Sequence, residues 1–163
     1  MKTKRRFIMS LELYLLDFCF SAVPAAVFAM LFNTPLKYVP YAALGGAVAH
    51  ITRTVCINNV GFGIVASSFI ASITISLMFI FLSPRLRVPR LVFTVASIVP
   101  IIPGKFAYLT LLSIIQMRNA EETKAGLIES FFENGIITST VLLAIGMGIA
   151  MPALLFYRNR PVV

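Results

Sequence analysis

Charge is scarce in this sequence. Only 12% of its 163 residues are charged, 59% are hydrophobic, and the mean hydropathy is +0.93. A soluble domain of this length needs a charged surface that such a composition does not supply, so a water-soluble globular fold is excluded. Acidic residues are scarcer still, six against fourteen lysines and arginines, for a net charge of +8. In a soluble chain that excess would suggest nucleic acid as a partner. Here the basic residues mostly sit between hydrophobic runs and at the two ends, where lipid headgroups attract them. There are only two cysteines, Cys19 and Cys56, without CxxC spacing, and a single histidine, His50. Neither a disulfide framework nor a typical metal site is therefore expected, and the two thiols are expected to be free and buried. No GxSxG, HExxH or phosphate-binding loop occurs, so neither enzymatic chemistry nor a cofactor is expected.

What is present is a series of long apolar runs. Five can be drawn, over 11–32, 38–57, 60–82, 91–117 and 134–157, and they predict an all-α, polytopic membrane bundle of four to five hydrophobic segments in one integral membrane domain, 1–163. Turn chemistry places the breaks at Asn33-Thr34-Pro35, at Asn58-Asn59, and at Ser83-Pro84 leading into Arg85, Arg87 and Arg90. The longest polar piece, 118–133, carries Arg118, Glu121, Glu122, Lys124, Glu129 and Glu133. Lys2, Lys4, Arg5 and Arg6 before an apolar run imitate a signal peptide. Glu12 and Asp17 interrupt that run and further segments follow, so it reads as a retained first transmembrane helix.

The fourth run contains the most informative stretch, Val99-Pro100-Ile101-Ile102-Pro103-Gly104-Lys105. Two prolines and a glycine remove backbone donors and loosen the chain in the middle of an apolar segment. Hydrocarbon tolerates such a break only where protein or a water-filled cavity satisfies the freed groups. A helix restarting at Gly104 would present unpaired N–H groups and a partial positive charge, as half-helices do toward anionic cargo in many transporters, and Lys105 adds a full charge. A carboxylate substrate follows from that reading. The alternative is a proline kink that only shapes helix packing, with Lys105 snorkelling to an interface. The pieces 91–99 and 105–117 would give roughly 13 Å and 20 Å of helix. They span if joined end to end and form a re-entrant hairpin if folded back. Charge does not arbitrate. Five crossings put seven basic residues on the N-terminal side and six on the other, and a hairpin again gives seven to six.

His50 and Arg53 lie three apart in AALGGAVAHITR (42–53) and share one helix face. Ionisable groups at membrane depth are costly and usually face a bundle interior or a water-filled path. Histidine titrates near neutral pH in its ordinary range, which makes His50 a candidate for proton coupling. Arg53 is a candidate carboxylate clamp. The plainer reading has Arg53 marking a segment end and His50 bonding a neighbouring helix. Asp17 needs protonation or a partner at its depth, with Arg53 or Lys105 as the expected partner and a proton relay as the sharper alternative. Ser68, Ser72 and Ser76 recur every four residues, beside Ser67 and Thr74. They either line an aqueous path or, the favoured reading, bond helix carbonyls. Ala42, Gly45, Gly46 and Ala49, and Ala144, Gly146, Gly148 and Ala150, read as close-packing seams.

VPAAVFAMLFNTP (23–35), AALGGAVAHITR (42–53), FTVASIVPIIPG (93–104) and LLFYRNRPVV (154–163) resemble the small, YjjB-type subunit of the threonine/serine exporter (ThrE) family over nearly the whole chain. The resemblance implies export of small carboxylates from a bacterial cell, across its inner membrane. The cargo is threonine and serine in some members and dicarboxylates such as succinate in the two-protein type. It also implies a larger YjjP-type membrane subunit as partner, because single-chain members precede this region with a larger domain. Asp17, His50, Arg53, Pro100, Pro103 and Gly104 fall on positions that match the family pattern. Lys105 departs from it, since an uncharged residue commonly follows that glycine. Size leads to the same expectation, because alternating access usually rocks two bundles or repeats against each other and this chain has few spans for both. The rivals are an amino-acid exporter subunit and a non-transporting scaffold of a membrane complex, and a homo-oligomer remains open.

Overall fold

The computed structural model describes residues 2–119 and 124–156. Glu121, Glu122, Arg158 and Arg160 fall outside the described residues, as do the side chains of Lys2, Lys4, Arg5, Arg6 and Lys124. The chain is all-α, with no strand among the described residues. Helix α1 spans Lys2–Leu31, and a 3-10 turn, Leu36–Tyr38, leads into α2, Val39–Val55. Then come α3 (Ile64–Leu86), α4 (Arg90–Ser97), a second 3-10 turn (Val99–Ile101), α5 (Gly104–Asn119) and α6 (Lys124–Phe156).

Three boundaries differ from expectation. Asn58 and Asn59 do not end the second segment, because a π-helical turn, Cys56–Val60, continues α2 until Gly61 takes φ 77°. Only glycine reaches that conformation without a Cβ penalty. Ser83-Pro84 does not end the third segment either. The helix runs on to Leu86 and closes where Arg87 adopts φ 55° and donates its N–H to the Ser83 carbonyl. The polar piece after 118 is largely helix, since α6 begins at Lys124 and carries Glu129 and Glu133 on its first turns. Polarity alone did not mark a loop there, because the stretch contains no proline and its alanine, leucine and glutamates favour a helix.

Three helices are long and apolar enough to cross a bilayer, within Tyr14–Leu31, Ile64–Leu86 and Ala125–Phe156, and a fourth span results if α4 and α5 count as one. The second segment, α2, is 17 residues long. It packs on α1, α3, α4 and the turn at 99–101. Its small face, Ala42, Gly45, Gly46 and Ala49, is buried. A Cβ on Gly46 would run into Ala25 of α1, and one on Gly45 into Ser97 and Phe79. The seam therefore sets how closely three helices approach, which is the use expected of small residues where dispersion contacts drive association. The second small stretch is divided: Ala144 and Gly148 are buried, whereas Gly146 and Ala150 are exposed. Gly148 abuts Ser72 and the Phe69 carbonyl. Ser76 donates to the Ile149 carbonyl at 2.8 Å, Ser72 to Phe69, and Thr74 to Ile70. Within the stripe, Ser76 thus links α3 to α6 and Ser72 bonds within α3, while the Ser68 hydroxyl is buried without a partner among the described residues. The central core joins Ala71, Ile75 and Phe79 of α3 with Phe93, Ile101, Val141 and Ile145. Phe79 and Phe93 stack with centroids 5.2 Å apart.

Side-chain register gives the direction of each helix. Asp17 meets His50 and Tyr14 meets Asn59, so α1 and α2 are antiparallel. Phe93 lies on Tyr38 and Tyr41, and Ser97 on Ala42, so α4 follows α2 in the same sense. Contacts of α3 with α6 run from Ser72 with Gly148 to Phe81 with Phe156, so these two are parallel. Helix α5 returns along the first half of α6, with Thr110 beside Gly135 and Ser113 bonded to Ser130. The pieces Arg90–Ile101 and Gly104–Arg118 meet at 62°. The fourth segment is therefore deflected and does not fold back on itself. One end of the bundle gathers Lys37, Arg85, Arg87 and Arg90. The described acids, Glu12, Asp17, Glu129 and Glu133, all lie toward the other.

Candidate functional site

The chemistry-bearing side chains converge where α1, α2 and the break in the fourth segment meet. Asp17 projects from α1 one turn before Ser21, whose hydroxyl donates to the Asp17 carbonyl at 2.6 Å. Its carboxylate Oδ2 lies 3.0 Å from Nδ1 of His50 and accepts from the Thr54 hydroxyl, also at 3.0 Å. His50 and Thr54 are one helical turn apart on α2, so they present adjacent groups to the same oxygen. Their mutual separation, Thr54 Oγ1 to His50 Nδ1, is 3.5 Å. His50 and Asp17 keep 27% and 30% of their side-chain surface exposed, enough for water or cargo to reach them. One turn further along the same interface, the Tyr14 hydroxyl donates to Asn59 Oδ1 at 3.1 Å. A polar ladder, Tyr14–Asn59 and then Asp17–Thr54–His50, thus climbs the α1–α2 interface from the bundle end toward its middle.

Arg53 occupies the neighbouring side of α2 and reaches the break. Its Nη1 donates to the carbonyl of Ile101 at 2.8 Å. The Pro100-to-Gly104 interruption is what leaves that carbonyl available. Pro103 has no N–H, and the N–H groups of Ile102 and Gly104 turn instead to the Val99 and Ile102 carbonyls. Pro100 packs beside Gly46, which fixes the turn against α2. A guanidinium carries five donors in a planar fork. Arg53 shows one protein hydrogen bond among the described residues, so the rest of the fork is available to an incoming group.

The structure therefore brings together Asp17, His50, Arg53, Pro100 and Pro103. It does not bring Lys105 to them. Lys105 is exposed on the first turn of α5, as is Gly104, around which there is open space. Asp17 hydrogen-bonds His50 and Thr54, and of its two expected partners Arg53 interacts with it through charge at longer range, while Lys105 does not join the cluster. Within 4 Å, the His50–Asp17 contact is the one acid–base pair among the described residues. The reason is placement along the helix, since Asp17 faces positions 50 and 54 while position 53 turns toward the break. At the break, too, the freed acceptor is satisfied by Arg53, where the sequence suggested freed donors at Gly104. The sequence reading missed Thr54, Tyr14 and Asn59. Thr54 was legible only as a hydroxyl one turn beyond His50, and Tyr14 and Asn59 are joined by tertiary structure alone. Cys56 is buried as expected, whereas Cys19 is exposed on α1.

Comparison with known proteins gives three findings. A family described as "Threonine/Serine exporter, ThrE" matches residues 17–155, which includes Asp17, His50, Arg53, Thr54 and the break but not Tyr14. A protein of Haemophilus influenzae described as an uncharacterized protein is 40% identical over 149 residues, which is 91% of this chain but 50% of that protein. The chain thus spans about half the length of the curated relative it matches. No solved structure matches.

Proposed function

The chain belongs to the threonine/serine exporter family, ThrE, and we propose that it is the small, YjjB-type subunit of a two-protein exporter whose cargo is a small carboxylate, with succinate as the first candidate. Its place is a bacterial inner membrane, its partner a larger YjjP-type subunit, and its work is transport without covalent chemistry. The observation that carries this reading is the Arg53–Ile101 hydrogen bond, which sets a partly used guanidinium against an interrupted helix beside the Asp17–His50 pair. Arginine recognises carboxylates through two parallel hydrogen bonds, and burial in an apolar bundle strengthens that attraction. Unwound backbone next to a cargo site is the arrangement that helical transporters use at mid-membrane.

The mechanism follows from the site's connections. Arg53 draws the carboxylate of the cargo into the α1–α2 interface and shares its donors between that group and Ile101. Because Ile101 belongs to the break, seating cargo on Arg53 bears directly on how α4 and α5 are joined. His50 and Asp17 hold the coupling proton between them. A proton shared by the pair cancels the carboxylate's charge, which otherwise opposes an anionic cargo beside it.

The second reading, export of threonine or serine, has two supports. The family's own description names those amino acids. Asp17 Oδ1 also makes no hydrogen bond among the described residues, and so can take an ammonium while Arg53 takes the carboxylate. Efflux of succinate and of threonine from cells lacking their own exporters tests both. Three strains are compared: this chain alone, the larger subunit alone, and both together. Succinate efflux only with both supports the primary reading. Threonine efflux without succinate changes the cargo and keeps the site. Efflux from the larger subunit alone leaves this chain a scaffold and overturns both readings.

A further inference from the structure

Helix α5 packs on α6, and no other helix makes more than a marginal contact with it. The stretch of α6 that it covers, around Ser130 and Gly135, precedes the part that joins α3 in the core, Val141 to Gly148. The two helices therefore leave the core as an arm, joined by the Ser113 hydroxyl, which donates to the Ser130 hydroxyl at 3.2 Å, and by Thr110 lying beside Gly135. The outer surface of this arm is unusual in composition. Ile128, Phe132 and Ile136 form an apolar stripe at four-residue spacing and are 44%, 58% and 60% exposed. Directly beside it on the same helix, Glu129 and Glu133 form an exposed acidic stripe, one turn apart. Neither glutamate has an ion-pair or hydrogen-bond partner among the described residues.

No single solvent suits that surface. Hydrocarbon accepts Ile128, Phe132 and Ile136 but makes two exposed carboxylates costly. Water accepts the carboxylates but not an apolar stripe of that length. A protein helix with an apolar face flanked by lysine or arginine satisfies both at once. A second copy of this chain fits poorly, because an isologous contact sets a patch against itself and would bring the glutamates face to face. The Haemophilus influenzae relative is about twice the length of its matched region, so it carries as much chain again beside a region similar to this one.

We infer that the outer face of the α5–α6 arm is the docking surface for the larger companion subunit, which meets it with a membrane helix whose apolar face is bordered by basic residues one turn apart. This rests on the two-subunit reading above. Helix α5 starts at the end of the break, so the same contact places the companion's hold on the arm in line with Gly104, Pro103 and the Arg53–Ile101 bond. Movement of the companion is thereby transmitted to the carboxylate site through one deflected joint.

The test is site-specific photocrosslinking in cells that co-express this chain with the tagged larger subunit. A photoreactive residue is placed at Phe132 or at Ile136. The expected product is an adduct of the two subunits. Glu129→Lys with Glu133→Lys should lower its yield at least about tenfold, at unchanged abundance of this chain in the membrane. Glu129→Gln with Glu133→Gln, which keeps size and removes only charge, should give a smaller drop, and it stands in if the lysine pair fails to insert. Adducts to a second copy, or no protein adduct while the subunits export together, would overturn the proposal. A full adduct without carboxylate efflux overturns the transport reading and leaves the docking surface standing.

Discussion

Arg53 and Ile101 are separated by 48 positions in the chain and joined by a 2.8 Å hydrogen bond from guanidinium to backbone carbonyl. That bond makes the interruption of the fourth segment and the charge on α2 a single device. A break in a membrane helix must have its freed acceptor satisfied, and a charge at membrane depth must have a partner. Each meets the need of the other here.

Arg53→Gln removes the charge and the fork while keeping a donor for the Ile101 carbonyl. Export through the assembled complex should fall by about a hundredfold, in line with the loss of about 3 kcal/mol expected for a charged hydrogen bond to cargo. Arg53→Lys should also lose most activity, because a point charge cannot serve a backbone carbonyl and a carboxylate with planar paired bonds. Export from inverted vesicles, normalised to membrane abundance, is the measurement. Wild-type rates in Arg53→Gln would remove Arg53 from the site.

Pro100→Ala combined with Pro103→Ala restores two backbone donors and allows helix to run from α4 into α5. The Ile101 carbonyl would then be satisfied within the helix, and Arg53 would lose its anchor. Transport should be abolished with insertion intact. Pulldown of the companion reads assembly separately from flux, and unchanged flux in a correctly inserted double variant would show the break to be only a shape.

Asp17→Asn and His50→Gln should each impair export, and the double variant should be no worse than the stronger single one. Contacting groups that act as a unit are not additive, and such pairs typically couple by about 0.5–3 kcal/mol. Simple additivity of the two losses would separate Asp17 from His50 in function.

Gly148→Leu places a side chain where Ser72 and the Phe69 carbonyl already stand. Overpacking of this kind costs about 1–3 kcal/mol, so the melting temperature of the detergent-purified protein should drop clearly. Gly146→Leu, two positions away and facing open space, should leave it almost unchanged. Equal effects at the two positions would contradict the parallel packing of α3 on α6.

Composition and hydrophobic run length by themselves determined that this is an all-helical membrane chain, because no soluble fold can hide so much apolar surface and hydrocarbon admits only backbone that bonds to itself or to its neighbours. They also determined where the fourth segment breaks, since proline and glycine act through local geometry. Local signals were weaker at Ser83-Pro84 and at 118–133, where tertiary packing and helix propensity outweighed the punctuation. The partners of the charged groups were decided by tertiary structure alone. Positions 50 and 54 face α1 while position 53 faces the break, and that division depends on how α2 is rotated within its seam of Gly45 and Gly46. Nothing in the spacing of Asp17, Thr54 and Ile101 along the chain reveals that they end within reach of one helix turn, because the contacts are made by helices that cross, not by neighbours in sequence.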